Sequence, residues 1–389
     1  MIERPTHTYI AKTLMNFEEL LADELDALGA TDIEILNRAV KFTGDKEVMY
    51  KANYYCRTAL RILQPITTFN VTNQQELYDK VKAVKWEEFF TEKQTFAFDT
   101  TETKSEFTNS LFVSMKAKDA VADRFRELKG IRPYVDKEFP DMRINIHIFR
   151  ESATLSLDTS GTSLHKRGYR TDSTKAPINE VLSAGLIMMT KWDKKSLFVD
   201  PMCGSGTNLI EAAMMAYNMP AGYHRKEYGF ENWLNFDPIL WNEIRAEGKA
   251  NIRTEGPEIV GIDSATSAAI IAKGNIKSAD LGYKIKVITG AFEEYKHEYE
   301  KGTMMINPPY GERLDKDNLD ELYQLIGDTL KKNFKGFDAF VLSSNMEAMK
   351  KIGLKPKRRY NVMNGSLECK FNHYEMFAGT RKDYVVSRL

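Results

Sequence analysis

The segment Leu197–Ala216, "LFVDPMCGSGTNLIEAAMMA", decides the fold class. It reads as an apolar strand, a turn carrying Gly204 and Gly206, and a helix opening near Thr207. Glycines there permit a tight turn and close backbone approach, and the helix N-terminus offers free N–H groups. No Gly-Lys-Ser/Thr follows, so this is not a P-loop. The third glycine of a dinucleotide fingerprint is also missing, because Leu209 holds that position. Asp200, at the strand's end, would repel a pyrophosphate but can help hold a cationic amino-acid group through solvent or backbone contacts.

Working outward, the next apolar strand, "EIVGID", ends on Asp263, where an acid accepts hydrogen bonds from ribose hydroxyls. The usual gap between loop and acid is about 20 residues. An insertion, "PAGYHRKEYGFENWLNFDPILWNEI" (220–244), lengthens it here, and its aromatic density suits either a lid over the site or plain packing. The runs "KVITG", "TMMIN" and "FDAFVLSS" continue the pattern of short apolar strands between helices, the mark of a largely parallel, doubly covered sheet. Asn364-Gly365 between two strand-like segments predicts a terminal antiparallel hairpin. A helix is expected from near Pro177.

One strand ends abruptly in Ile306–Leu314, "INPPYGERL". Two prolines stop a sheet ladder, and the residue before a proline is held extended. The result is a stiff platform at a strand's carboxyl end, carrying free carbonyls, the Asn307 amide and the Tyr310 ring. In open α/β sheets that edge is where ligands bind.

Before residue 160 the texture differs: alternating strands such as "RINIHIF" and "ATLSLDTS" lie between amphipathic helices, predicting α+β units with one solvated sheet face. The division expected is 1–160, a linker at 161–175, and 176–389. Composition is that of a globular protein, with 42% apolar residues and 55 basic against 55 acidic ones. That balance argues against a tail-driven polyanion binder but leaves room for a local basic groove. Cys56, Cys203 and Cys369 are scattered, so no metal site is expected and a reduced, cytoplasmic setting is. No membrane span is expected, since "AGLIMM" is the longest comparable apolar run. Nothing in the chain speaks to oligomeric state.

Taken together, "DPMCGSGT", "INPPYGERL" and "LHKRGYR…KAPINEVL" resemble class I S-adenosylmethionine-dependent methyltransferases of exocyclic amino groups. The N-terminal half is similar to the THUMP-containing bacterial branch, which includes 23S rRNA guanine-N2 methyltransferases and relatives often labelled adenine-specific DNA methylases. The resemblance implies a Rossmann-like catalytic domain behind an N-terminal RNA-binding module, ferredoxin-like over about 1–60 and THUMP over about 45–158. It places the cofactor loop on Asp200, Pro201, Met202, Cys203, Gly204, Ser205, Gly206 and Thr207, and the ribose acid on Asp263. It places the catalytic tetrad on Asn307, Pro308, Pro309 and Tyr310, with Asn307 also beside the cofactor. Where many relatives carry an acid for the adenine amino group this chain has Ala291, followed by Phe292 and Glu293, which could stack on the adenine or substitute for the acid.

The implied substrate is structured RNA, foremost guanine N2 of 23S rRNA. A tRNA guanine or an adenine N6 is the alternative, because Asn-Pro-Pro-Tyr serves both bases. Two basic clusters bracket the catalytic half: His165, Lys166, Arg167, Tyr169 and Arg170, then Lys357, Arg358 and Arg359. Both read as candidate RNA contacts beside the reading of a solvated surface. A nicotinamide-dependent oxidoreductase is disfavoured by the missing third glycine and the terminal hairpin. A non-catalytic RNA-binding assembly factor is disfavoured by the intact Asn307–Tyr310.

Overall fold

The computed structural model describes residues 5–174, 177–309 and 316–377. Seven strands come first: β1 (His7–Lys12), β2 (Thr31–Leu36), β3 (Ala39–Gly44), β4 (Arg61–Asn70), β5 (Phe96–Thr103), β6 (Met142–Phe149) and β7 (Ser152–Asp158). Among them lie α1 (Glu18–Ala27), α2 (Lys46–Tyr55), α3 (Gln74–Ala83) and α4 (Ser110–Lys129). The strands form one sheet in the order β2-β3-β1-β4-β7-β6-β5 rather than separate small sheets. Strand β4 makes the join, because its ten residues are long enough to pair with β1 through Arg61–Leu63 and with β7 through Leu63–Asn70. Pro65, which cannot donate to a ladder, sits at a register shift in that second pairing.

The second set comprises α5 (Glu180–Thr190), β8 (Leu197–Asp200), α6 (Thr207–Ala216), α7 (Pro238–Ala250), β9 (Ile259–Asp263), α8 (Thr266–Ser278) and β10 (Lys286–Thr289). It continues with β11 (Gly302–Ile306), α9 (Lys316–Asn333), β12 (Phe337–Ser343), α10 (Met346–Lys351), β13 (Arg358–Asn364) and β14 (Leu367–Glu375). Their sheet runs β10-β9-β8-β11-β12-β14-β13, parallel from β10 to β12 and antiparallel thereafter. The expected hairpin closes with Asn364 opposite Leu367. Helix α5 starts at Glu180, later than Pro177 suggests, because the Asn179 side chain caps it by accepting from the Val181 and Leu182 N–H groups.

The glycine missing from the helix has a counterpart on the neighbouring strand. A Cβ at Gly261 of β9 would lie 2.3 Å from Leu209 Cδ1 and 3.1 Å from Cys203 Sγ. Close helix–strand packing, normally permitted by a third glycine in the fingerprint, is permitted here by a glycine on the strand.

The compact units are not contiguous in sequence. The first takes in the chain up to Thr13, Leu21–Leu164 and Arg225–Glu247; the second takes in Leu14–Leu20, His165–His224 and the chain from Gly248 onward. In the first unit, Tyr228, Phe230, Trp233, Leu240, Trp241 and Ile244 share a core with Tyr50 and Tyr54 of α2. The Tyr50 and Phe230 rings stack at 4.4 Å, and the Arg225 guanidinium donates to the carbonyls of Ser160, Thr162 and Ser163. Packing is therefore the role of most of the insertion's rings, while Leu234 and Ile239 remain exposed. In the second unit, Phe17 is fully buried, and a Cβ at Gly185 of α5 would fall 2.1 Å from its ring. Asn16 donates to the Asn361 carbonyl of β13 at 2.9 Å, fixing the same short segment.

Candidate cofactor and active site

The second sheet reverses its strand order at β8, with β9 on one side and β11 on the other. The carboxyl ends of these three strands surround a cavity of about 580 Å³, within the range of roughly 300–1,000 Å³ typical of small-molecule sites. The loop after β8 contributes Pro201 through Ser205, α6 contributes Thr207 and Asn208, and β9 contributes Asp263. Ala291, Phe292, Glu293, Asn307 and Pro309 complete much of the wall.

Two aspartates divide the electrostatic work. Asp263 accepts from the Gly204 N–H at 2.9 Å and the Ala265 N–H at 3.0 Å, so it braces the loop while its carboxylate still faces the cavity. Asp200 lies underneath, 1% exposed, accepting from Asn208 Nδ2 at 2.9 Å and the Met202 N–H at 3.2 Å. Asp200 does not line the cavity; its carboxylate braces the loop backbone at Met202 and the start of α6 at Asn208.

Burial pushes the Asp200 carboxyl up to about 7, the two hydrogen bonds oppose that rise, and Asp263 adds to it. Between an unfolded value near 4 and about 7, the folded chain therefore holds a proton that the unfolded chain has lost. Stability attributable to Asp200 should fall as pH rises from about 4 to about 7 and level off beyond. Asp200→Asn should gain on the wild type across that window in melting experiments at fixed ionic strength. A difference independent of pH would contradict the assignment.

The glycines are not equivalent. Gly206 (φ +81°) starts α6, and a Cβ there would lie 3.2 Å from Ala272 Cβ, away from the cavity lining. Gly204 (φ +53°) lines the cavity, and among the described residues a Cβ there would meet only Thr174 Oγ1, at 4.0 Å. Gly206→Val should therefore lower the melting temperature first, through backbone strain of about 1–3 kcal/mol and contact with α8. Gly204→Ala should weaken ligand binding with a smaller change in melting. Melting curves and ligand titrations on both variants would reveal a reversed order, which would contradict this geometry.

Asn307 follows directly on β11. Its Oδ1 is buried and has no hydrogen-bond partner among the described residues, while the side chain lines the cavity. An orphaned buried acceptor is costly, about 1–3 kcal/mol, and points to a donor on an incoming ligand. Pro308 is buried and Pro309 faces the cavity. Tyr310, expected to carry the aromatic ring of the platform, lies outside the described residues. Phe292 is 4% exposed and its ring stacks on Phe334 at 5.4 Å, so a face that could have stacked on a ligand is covered by protein.

The first basic cluster is not a free surface. Arg167 is 2% and Tyr169 1% exposed; Arg167 Nε lies 3.5 Å from Glu211 Oε1, and the Tyr169 hydroxyl donates to the same oxygen at 3.0 Å. Burial and the Glu211 charge push the Tyr169 hydroxyl up, keeping it a donor. Arg170 donates to Glu180 Oε1, Ser205 Oγ, Thr207 Oγ1 and the Ile178 carbonyl. These three residues form a strap over α6, whose ten residues are all buried, correcting their expected role as RNA contacts. His165 is half-buried and Lys166 exposed. Lys357, Arg358 and Arg359 are exposed at β13, the sheet's edge strand, with Lys357 paired to Glu375 at 2.9 Å. Sequence reasoning missed Asn275 of α8, which is 1% exposed, donates to the Ser205 and Asp172 carbonyls and accepts from the Thr171 N–H.

Among the described residues no helix is long and apolar enough to cross a membrane, and no group of three His, Cys, Asp or Glu residues is arranged to hold a metal.

Comparison with known proteins gives this geometry its family. Residues 167–373 match the RMKL-like methyltransferase domain, residues 71–158 a THUMP domain, and residues 8–63 the RlmL ferredoxin-like domain. The chain belongs to the RMKL-like methyltransferase family. A Marinomonas sp. protein named ribosomal RNA large subunit methyltransferase K/L is 36% identical over 384 residues, covering 96% of this chain and 53% of that protein. The chain thus spans about half the length of such K/L relatives. A Synechocystis sp. protein described as a candidate RNA methyltransferase is 36% identical over 374 residues, covering 96% of this chain and 97% of that one. The crystal structure of SMU.472, described as a candidate methyltransferase complexed with S-adenosylhomocysteine, superposes with a TM-score of 0.87 at 29% identity, covering 97% and 100% of the two chains. The family match thus places an RMKL-like methyltransferase domain on residues 167–373, and the bound S-adenosylhomocysteine is a property of SMU.472.

Proposed function

We propose that this protein methylates the exocyclic amino group of an RNA base, foremost guanine N2 of 23S ribosomal RNA. The observation that carries the reading is the buried, unpartnered Asn307 Oδ1 at the end of β11, beside the cofactor loop. An exocyclic amino nitrogen is a poor nucleophile because its lone pair is delocalised into the ring. With Asn307 Oδ1 and the Pro308 carbonyl accepting its two hydrogens, nitrogen pyramidalises and its lone pair becomes directional. S-adenosylmethionine supplies the methyl group. Asp263 fixes the ribose, and the Gly204 loop leaves room for the amino-acid end. The nitrogen–methyl bond would form as the sulfur–methyl bond breaks, with S-adenosylhomocysteine as leaving group and water taking the product's proton, so positioning and electrostatics do the catalytic work. Tyr310 is assigned the stacking role on sequence grounds alone.

RNA is favoured over DNA by the THUMP match and by the names of both curated relatives. The base must already be unpaired or be drawn out of its helix to reach the pocket. Exposed Arg358 and Arg359 are proposed phosphate contacts, and His165 and Lys166 are the part of the first cluster retained in that role. The alternative keeps the same chemistry on a tRNA guanine or an adenine N6. Nucleoside mass spectrometry of ribosomal and transfer RNA from cells with and without the gene tests the proposal. Loss of one N2-methylguanosine from 23S RNA is the expected result; unchanged RNA methylation would overturn it.

A further inference from the structure

The geometry points to Arg170 as a positioning residue that acts through the Ser205 and Thr207 hydroxyls on the carboxylate of S-adenosylmethionine. This deepens the cofactor assignment and rests on it. Arg170 Nη1 donates to Ser205 Oγ at 3.1 Å and Nη2 to Thr207 Oγ1 at 3.0 Å. The guanidinium is anchored from behind by Glu180 Oε1 at 2.8 Å and the Ile178 carbonyl at 3.3 Å. Arg170 does not line the cavity, whereas Ser205 and Thr207 both do.

A guanidinium only donates and never accepts. Each hydroxyl oxygen receives a hydrogen from Arg170, so its own hydrogen must point elsewhere. Ser205 Oγ and Thr207 Oγ1 lie 3.4 Å apart, a distance at which one can share a hydrogen with the other. At least one O–H is then left without an acceptor among the described residues and free to turn to the cavity that both side chains line, polarised by the cation behind it.

The surroundings favour an anion there. Helix α6 begins at Thr207 after Gly206, and no described side chain caps it. Its first N–H groups and the positive end of its dipole face the same loop. Asn275 fixes the Ser205 carbonyl and the strap at Thr171 and Asp172, so loop and strap are held as one piece. A carboxylate is the anion that the cofactor carries at its amino-acid end. Arg170 thereby sets the direction of two donors without touching the ligand.

The test uses the full chain and two ligands, S-adenosylhomocysteine and its decarboxylated analogue S-adenosyl-3-thiopropylamine, titrated calorimetrically. Arg170→Met should weaken S-adenosylhomocysteine by roughly 10- to 100-fold, the range for a hydrogen bond to a charged group. The analogue should change by less than about threefold, and Arg170→Lys should recover part of the loss, since it keeps the charge and a single donor. The double variant Ser205→Ala, Thr207→Val retains Arg170 and should show the same carboxylate-selective loss, covering the case in which Arg170→Met does not fold. Equal losses for both ligands would reduce Arg170 to a structural brace and overturn the proposal, as would no loss at all. Wild-type protein that binds neither ligand would instead overturn the cofactor assignment beneath it.

Discussion

Asn307→Ala is expected to slow single-turnover methyl transfer by roughly 10²- to 10³-fold, the usual consequence of removing one group aligned on a transition state. Its affinity for S-adenosylhomocysteine should change little. The asymmetry follows from where the side chain sits. Its Oδ1 is buried, unpartnered and at the cavity wall, so deletion removes an acceptor that no described residue occupies. The fold has little to lose, because no hydrogen bond within the described chain depends on that oxygen. Removing an orphaned buried acceptor should if anything raise stability. A purely structural turn would behave oppositely, with melting and cofactor binding suffering together. Cofactor titration, melting and single-turnover rates on one preparation separate the two, and near-normal turnover by Asn307→Ala would exclude the acceptor role.

The second large effect concerns the exchanged segments. A contiguous division near residue 160 implies that residues 165–389 would fold and bind cofactor alone. The structure leads to the opposite expectation, because that fragment lacks Leu14–Leu20 and with it the fully buried Phe17. The ring fills the space left open by Gly185, and its loss leaves a cavity. Truncating a buried phenylalanine costs about 3–5 kcal/mol, a large share of a typical domain stability of about 5–15 kcal/mol. Phe17→Ala in the full chain should show that loss by denaturant unfolding, and the fragment should lack a cooperative transition. Residues 1–164 alone should fare no better, since Tyr228, Phe230, Trp233 and Trp241 complete their core. A fragment 165–389 that melts cooperatively and binds S-adenosylhomocysteine like the full chain would contradict this reading.

What was legible in the sequence was local. The strand–glycine–helix at 197–216, the acid at 263, the proline pair after Asn307 and the Asn364-Gly365 hairpin each encode their geometry within a few residues. What was not legible depended on partners far along the chain. Arg167, Tyr169 and Arg170 have the composition of an RNA surface, and only Glu211, Glu180, Ser205 and Thr207 turn them inward. One signal was available: an acid in the otherwise apolar "NLIEAAMMA" asks for a buried cationic or hydroxyl partner. The insertion's rings were ambiguous for the same reason, since their partners Tyr50 and Tyr54 lie some 170 or more residues earlier. Nor could the sequence show that Gly261 restores the helix–strand approach closed by Leu209, because that exchange involves two elements.

The central claim, methyl transfer to an exocyclic amino nitrogen of RNA, is tested most directly by the purified full chain, methyl-labelled S-adenosylmethionine and RNA isolated from cells lacking the gene. After digestion, the label should appear in one nucleoside, N2-methylguanosine, at no more than one equivalent per 23S RNA. Label on N6-methyladenosine or in tRNA would move the target while preserving the chemistry. Label on a base carbon or ribose oxygen, or none at all, would contradict the account.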